Sequence, residues 1–589
     1  MGECQNSPCN YPILKRVKFQ SNLPHKALSS CLKKYKIEPV FWSIFLMKSA
    51  LLILAAILIS LAWLSPFHTY PWVTFSSELA TFGAALVLLA LFLNRNIQIP
   101  KLQLYILPVV IVPLLQWSFG LVFDFSVAFL SFAYLLAFWL MMLCGYNLSL
   151  QSENREKLMI GFSLVVLIAG LLSSFMAVVQ WLNLESYLYG IMGLRGNRPY
   201  ANFGQPNNLS TFLVMGLMGG LYLYEKRKAS LWLLISSSLI LLFTIALTQS
   251  RTAWIVCIFF FFYWIYKQHK NNPRFNFPKL LLWTALYFVI AGYLLPYLTQ
   301  FMTSHLDTGV THTASIVQRA GSGHERLGMW MQILNAIAER PLFGYGWNQT
   351  SIAVVESIEF NTVQVWFNSA HNIVLDLLVW NGIPLSILII GYLSLWLLWL
   401  NKTAKDSTSI IAIMMVCAIL IHAMLEFPQR YAYFLLPMGF LLGLIQAQTP
   451  QLKGITIQKN VVRCVWLISV IVLLLIWRDY KLFQDNSRLI FKGKQPTEEI
   501  LGSSRILLLT QFEKRLDWIA LDPKTRFSEA QLSEFAEMVK NKATPYNLKK
   551  FAQVLVYNQQ NEEAEKYLYV LNRLYKKDVS LADIIELNQ

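Results

Sequence analysis

Charge is scarce in this 589-residue chain. Asp, Glu, Lys and Arg make up 14% of it, while 56% of residues are hydrophobic and the mean hydropathy is +0.47. An ordinary soluble domain carries about 25% charged residues, so a soluble enzyme and a disordered chain are both excluded. Cysteine is sparse and unpatterned. Cys4, Cys9 and Cys31 lie in the N-terminal tail, and Cys144, Cys257, Cys417 and Cys464 lie in or beside apolar runs, where Cys behaves as a small hydrophobe. That is neither a disulfide framework nor a zinc spacing. There is no P-loop, no Asp-x-Asp pair, no metal-spaced His/Cys/carboxylate cluster and no Gly-x-Ser-x-Gly elbow. The chemistry expected here therefore uses neither ATP nor a bound metal, and no cofactor is implied.

What is abundant is apolar sequence in long runs. A bilayer core needs about 20 mostly apolar residues per helix. That length finds candidates at 41–64, 73–93, 102–122, 125–147, 158–182, 209–224, 231–248, 252–266, 280–300, 383–400, 410–425, 432–447 and 461–477. The fold class expected is an all-α polytopic membrane protein of about 12–13 transmembrane helices. The first run is too long for a cleaved signal peptide, and it comes after a basic tail, residues 1–40.

The net charge of +17 then has a topological reading. With the tail in the cytoplasm, the inner connections hold Arg95, Lys101, Arg155, Lys157, Lys226, Arg227, Lys228, Lys267, Lys270, Arg274, Lys279, Lys402, Lys405, Lys453 and Lys459. The outer ones hold only Arg195, Arg198, Arg251, Arg319, Arg326, Arg340 and Arg430, with no Lys. Such asymmetry is the positive-inside pattern, and it removes any need to invoke nucleic acid. This topology has three outer features: a loop at about 183–208, a long loop at about 301–371, and a C-terminal segment, 478–589. In that segment Tyr546–Tyr557 and Glu562–Tyr575 read as a helix hairpin around Asn558–Asn561, loosely like one tetratricopeptide unit. A single unit cannot bury its own face, so it should pack on other helices or bind a partner.

The outer arginines sit beside apolar helix ends. Each admits two readings: snorkelling or pairing with a carboxylate such as Glu426 or Glu325, or recognition of a phosphate, whose oxygens the guanidinium fork matches. The second reading fits Arg251 in Thr-Gln-Ser-Arg-Thr-Ala-Trp and Arg326 in Gly-His-Glu-Arg-Leu-Gly-Met-Trp, whereas Arg340 reads as structural. Of eight histidines, His25 and His269 fall inside. His68, His305, His312 and His324 lie in outer connections, and His422 lies within the eleventh run, one turn before Glu426. His371, before an apolar helix at the outer side, is the natural proton acceptor there, or else an ordinary helix-cap residue. The stretch Gly204-Gln205-Pro206-Asn207-Asn208, with Asn197 and Asn202 upstream, is either a polar turn capping a span or a set of amides for sugar hydroxyls.

In this order the motifs resemble the O-antigen ligase superfamily, most closely its protein O-oligosaccharyltransferase branch of the PglL type. The matching blocks are Arg-Pro-Tyr-Ala-Asn-Phe-Gly-Gln-Pro-Asn-Asn at 198–208, Gln-Ser-Arg-Thr-Ala-Trp at 249–254 and Glu-Arg-Leu-Gly-Met-Trp at 325–330. Further blocks are Arg-Pro-Leu-Phe-Gly-Tyr-Gly-Trp at 340–347, the His-Asn block from 371 and Glu-Phe-Pro-Gln-Arg-Tyr-Ala-Tyr-Phe from 426.

The resemblance implies a glycosyl-transferring membrane domain over 41–477, followed by a periplasmic helical domain. It implies a metal-independent enzyme of the bacterial inner membrane, with its active site facing the periplasm. That enzyme moves a preassembled glycan from undecaprenyl diphosphate to Ser or Thr of periplasmic or pilin-like proteins. Carried over by motif, His371, Gln205 and Tyr431 are catalytic and Arg251 and Arg326 hold the diphosphate. Arg198, Asn202, Asn207, Asn372, Glu426 and Arg430 support the site or bind substrate. Transfer of O-antigen to lipid A core, and glycan polymerisation, use the same donor and are the nearest alternatives. A lipid or glycan transporter without covalent chemistry is a third, and it predicts charged residues near the midplane rather than at the outer ends.

Overall fold

A computed structural model of the chain describes residues 37–268, 273–306, 308–312, 324–449, 454–491 and 506–588. Most of the basic tail, with Cys4, Cys9, Cys31 and His25, lies outside the described residues, as do His269, Lys270, Arg319 and Lys453. The chain divides into two compact units, residues 1–53 and 54–589. The first, as far as it is described, is the leading part of helix α1 (Ile37–Leu64). All packing below lies in the second.

The helices coincide with the thirteen apolar runs. After α1 come α2 (Phe75–Ala90), strand β1 (Ile97–Ile99), α3 (Lys101–Leu104), α4 (Leu107–Ser118), α5 (Phe125–Leu148) and α6 (Ser152–Trp181). Next are α7 (Pro206–Glu225), α8 (Leu231–Leu247), α9 (Arg251–Gln268), α10 (Phe277–Val289) and α11 (Leu295–His305). The long loop at about 301–371 contributes α12 (His324–Glu339) and α13 (Thr350–Glu356). The bundle resumes with α14 (Ile373–Thr403), α15 (Ser407–Ala423) and α16 (Ala432–Gln446), then β2 (Ile455–Ile457) and α17 (Lys459–Phe491). The C-terminal segment holds α18 (Thr510–Ala520), α19 (Glu529–Asn541), α20 (Pro545–Tyr557), α21 (Asn561–Tyr575) and α22 (Leu581–Asn588). Among the described residues, seven helices or helix pairs are long and apolar enough to cross a membrane and four apolar helices are shorter. The chain is a multi-pass, all-α membrane protein.

Helix α7 is buried from Asn208 to Tyr224, as a helix apolar on every side must be. It is the centre around which α6, α8 and α15 pack. Helices α5 and α16 approach through small residues: a side chain at Gly145 would collide with the Phe440 carbonyl, and one at Gly443 with that of Met142. Close backbone approach through glycine is the usual device where lipid offers no hydrophobic drive between helices. Two spans run differently from their apolar runs. Helix α14 starts ten residues before the 383–400 run and kinks at Gly382, whose φ of 71° is followed by Pro384. Helix α17 continues unbroken through position 478, so the last span runs directly into the C-terminal segment.

The connections sort to two ends. At one end Arg155 pairs with Asp406 at 3.2 Å, Lys226 with Glu156 at 2.7 Å, and β1 pairs antiparallel with β2. These are the connections rich in Lys. The opposite end carries the 183–208 loop, α12, α13 and the C-terminal helices. There the hairpin α20–α21 forms, and its apolar face is covered: Phe551, Leu555 and Leu571 share one core with Ile333, Ile352 and Val354 of the long loop. Ser351 donates to the Lys540 carbonyl at 2.7 Å, and Tyr569 donates to Glu359 at 3.0 Å.

Candidate functional site

The site is built around one carboxylate at the end of the bundle away from the lysines. Glu426 lies in the connection between α15 and α16, and its side chain is 6% exposed. Nδ1 of His371 lies 2.7 Å from its Oε2. The Arg326 guanidinium donates to Oε1. Gln205 donates to Oε2 at 3.3 Å and Asn207 to Oε1 at 3.1 Å. Four side chains from the start of α7, the first turn of α12 and the loop before α14 thus converge on one acidic group. Arg251, the first residue of α9, lies within electrostatic range of both Arg326 and Glu426.

Burial works to raise the Glu426 pKa. The His371 hydrogen bond and the charges of His371 and Arg326 outweigh it and hold the carboxyl below the ordinary value of 4.5. Glu426 is therefore ionised at neutral pH. The Arg326 guanidinium and the His371 imidazole face this carboxylate with Arg251 in electrostatic range, a grouping of basic side chains suited to an anion.

The backbone here is held in unusual conformations. His371, Gln249, Ala201 and Asn348 have φ of 52°, 50°, 50° and 63°. Non-glycine residues adopt the left-handed region rarely, and such strain gathers at functional sites. His371 is fixed by what surrounds it. Buried Asp376, on the first turn of α14, accepts from Ser369 Oγ at 2.6 Å, from the Ala370 amide at 2.8 Å and from Thr350 at 3.0 Å. Ser369 Oγ in turn accepts from the His371 amide at 3.2 Å. The imidazole packs edge-on against Phe427, 4.8 Å between ring centres.

The remaining predicted residues have graded positions. Tyr431 stacks on Tyr433 at 5.2 Å, and burial pushes its hydroxyl up to about 12, so it stays protonated at neutral pH. Arg198 ties its loop to the Thr248 carbonyl at 2.9 Å and to Asn207 at 3.0 Å. Asn202 is buried, and its amide is spent on backbone: Nδ2 donates to the Leu64 and Gly190 carbonyls and Oδ1 accepts from the Met192 amide. Asn372 caps α14 through the Val374 and Leu375 amides. Arg430 turns away from Glu426 to Asn348 and Asn368. Arg340, read as structural, pairs with Glu356. His422 is buried, with Nδ1 2.9 Å from Thr211 Oγ1.

Sequence reasoning missed Asp376, Asn348 and Asn368, and it treated Glu426 as one helper among several. The only signal for Asp376 was an acidic residue one turn into an otherwise apolar helix. Among the described residues, no three His, Cys, Asp or Glu side chains are grouped as a metal ion requires.

Comparison with known proteins agrees with these motifs. Residues 236–390 match the O-antigen ligase family, residues 199–224 the protein glycosylation ligase family, and residues 410–585 the C-terminal part of the virulence factor membrane-bound polymerase family. A general O-oligosaccharyltransferase of Acinetobacter baylyi is 50% identical over 554 residues, covering 94% of this chain and 97% of that protein. A ComP-specific O-oligosaccharyltransferase of the same organism is 30% identical over 380 residues, covering 64% of this chain and 67% of that protein.

Proposed function

The chain belongs to the protein O-oligosaccharyltransferase family, and on that premise we propose that it transfers a preassembled glycan en bloc from undecaprenyl diphosphate to Ser or Thr hydroxyls of periplasmic proteins. The observation that carries this reading is the 2.7 Å contact of His371 with Glu426 beside two arginines. A diphosphate leaving group is already activated, so transfer needs no nucleotide. Arg251 and Arg326 hold that diphosphate and take up the charge that grows as the glycosidic bond breaks. Glu426 accepts a hydrogen bond from Nδ1–H of His371, which leaves Nε2 as the acceptor for the hydroxyl proton of the incoming Ser or Thr. Gln205 and Asn207 keep Glu426 in place, and Tyr431 remains a protonated donor. Direct displacement by the hydroxyl inverts the anomeric centre.

The Lys-rich end of the bundle faces the cytoplasm and the site faces the periplasm, in the inner membrane. The positive-inside distribution supports this orientation. The greater likeness to the general than to the ComP-specific enzyme supports a range of acceptors. The test is reconstitution with a lipid-linked glycan, a Ser-rich periplasmic acceptor and lipid A core, read by mass spectrometry. Glycan on the acceptor is expected; glycan on lipid A alone, or lengthened glycan with none on protein, overturns the reading.

A further inference from the structure

Three of the partly buried cations of the C-terminal helices are satisfied within the chain. Lys514 pairs with Asp124 at 3.1 Å and Glu534 at 2.8 Å. Lys540 pairs with Glu356 at 3.3 Å and Glu537 at 3.0 Å. Lys550 donates to the Trp518 carbonyl at 2.6 Å and the Ile519 carbonyl at 3.2 Å. Arg515 and Lys542 break this pattern. Among the described residues no carboxylate, carbonyl or hydroxyl bonds either side chain. Both instead stand against one ring, Arg515 Cζ 4.7 Å and Lys542 Nζ 5.2 Å from the centre of Tyr70. Burial, with Arg515 adding its charge, pushes Lys542 down to about 7, and burial pushes Arg515 down to about 10. Two half-buried cations sharing an aromatic face, with no counter-ion among the described residues, are unfavourable unless an anion joins them.

The location identifies the anion. Tyr70 lies in the short loop between the end of α1 and the start of α2, so it sits where two spans leave the bilayer. In the same loop Phe67 and Val73 are 67% and 50% exposed. The α18 end is fixed at that level too. Thr510 donates to Asp124 at 2.7 Å at the start of α5, and Asp479 of α17 accepts the Leu507, Leu508 and Leu509 amides. A basic pair with exposed apolar and aromatic side chains at the end of a span is the chemistry of the headgroup region. We propose that Arg515 and Lys542, backed by Tyr70, bind the phosphate of a membrane lipid and thereby seat the C-terminal helices on the bilayer. The guanidinium fork engages two phosphate oxygens and the ammonium adds a point charge. This site shares no residue with the Glu426 cluster and does not depend on which glycan or acceptor is used.

The test uses the full chain in neutral detergent. Thermal midpoints are followed while phosphatidylglycerol, undecaprenyl phosphate, diacylglycerol or inorganic phosphate is titrated in. The proteins compared are wild type, the double variant Arg515→Gln with Lys542→Gln, and the single variant Arg515→Lys. A phosphate-bearing lipid should raise the wild-type midpoint, and the double variant should need about tenfold more of it. Arg515→Lys should fall between, and it keeps the test alive if the double variant does not fold. A stronger response to phosphatidylglycerol assigns the site to phospholipid, and one to undecaprenyl phosphate assigns it to a prenyl carrier. Equal lipid responses in wild type and both variants would overturn the proposal. So would an effect of diacylglycerol matching that of the phospholipid, or unchanged lipid responses with lost binding of an acidic acceptor protein.

Discussion

Nδ1 of His371 and Oε2 of Glu426 stand 2.7 Å apart although 55 residues of chain, including all of α14 and α15, separate them. In the proposed mechanism this contact engages Nδ1 and leaves Nε2 for the substrate. Glu426→Gln should therefore lower kcat about a hundredfold while leaving the donor KM within a few-fold. In the His371→Ala background it should have little further effect, because the two residues act as a unit. Steady-state transfer to an acceptor peptide measures this, and full additivity of the two losses would show that they work independently.

Stability should carry the same signature with pH. Glu426 is held below 4.5 in the folded protein, so its ionised form contributes stability above that value and loses it only as pH falls further. The thermal midpoint of wild type should exceed that of Glu426→Gln at pH 7 and pH 5, with the gap closing below about pH 4.5. A gap already closed at pH 6 would contradict a depressed carboxyl.

Arg251 tests recognition of the diphosphate. Arg251→Ala should raise the donor KM about tenfold or more, and Arg251→Lys should recover part of it, since Lys keeps the charge and loses the fork. Donor titration of both variants separates the possibilities. Wild-type KM values in both would remove Arg251 from the donor site.

Asp376 tests how His371 is held. Asn in its place keeps one acceptor oxygen and sets its NH2 group either against Ser369 or against the pair Thr350 and the Ala370 amide. Asp376→Asn should cost about 1–3 kcal/mol of stability and lower kcat with donor affinity retained. Donor affinity lost in parallel with kcat would point to a wider collapse of the loop.

The glycine contact of α5 and α16 makes a prediction for the fold alone. Gly443→Val should destabilise the bundle by about 1–3 kcal/mol through overpacking. Gly391→Ala, where a side chain meets open space, should be close to neutral. Thermal unfolding in detergent compares them, and equal midpoints would mean that the two helices can move apart.

Much of this protein was legible without coordinates, and for definite reasons. A bilayer imposes a fixed helix length, so the thirteen apolar runs marked their own helices, although the kink at Gly382 and the run of α17 past position 478 did not register as hydropathy. The Lys-rich connections sorted to one end because charge placement is dictated loop by loop. His371, Arg251, Arg326 and Gln205 stood out because polar residues beside apolar helix ends need a reason to be there. Convergence was not legible. Glu426 lies far along the chain from Asn207 and Arg326, and which of several carboxylates takes which arginine depends on how five helices pack. The same holds for Asn202, whose side chain proved committed to backbone, and for Arg430, which turns to Asn348 and Asn368. The sequence by itself determined the spans, the division of Lys-rich from Lys-poor connections and the kinds of side chain at the Lys-poor end. Only the tertiary structure decided that Glu426 is the hub and that Asp376 fixes the histidine, because hydrogen bonds between distant segments leave no periodic trace in the chain.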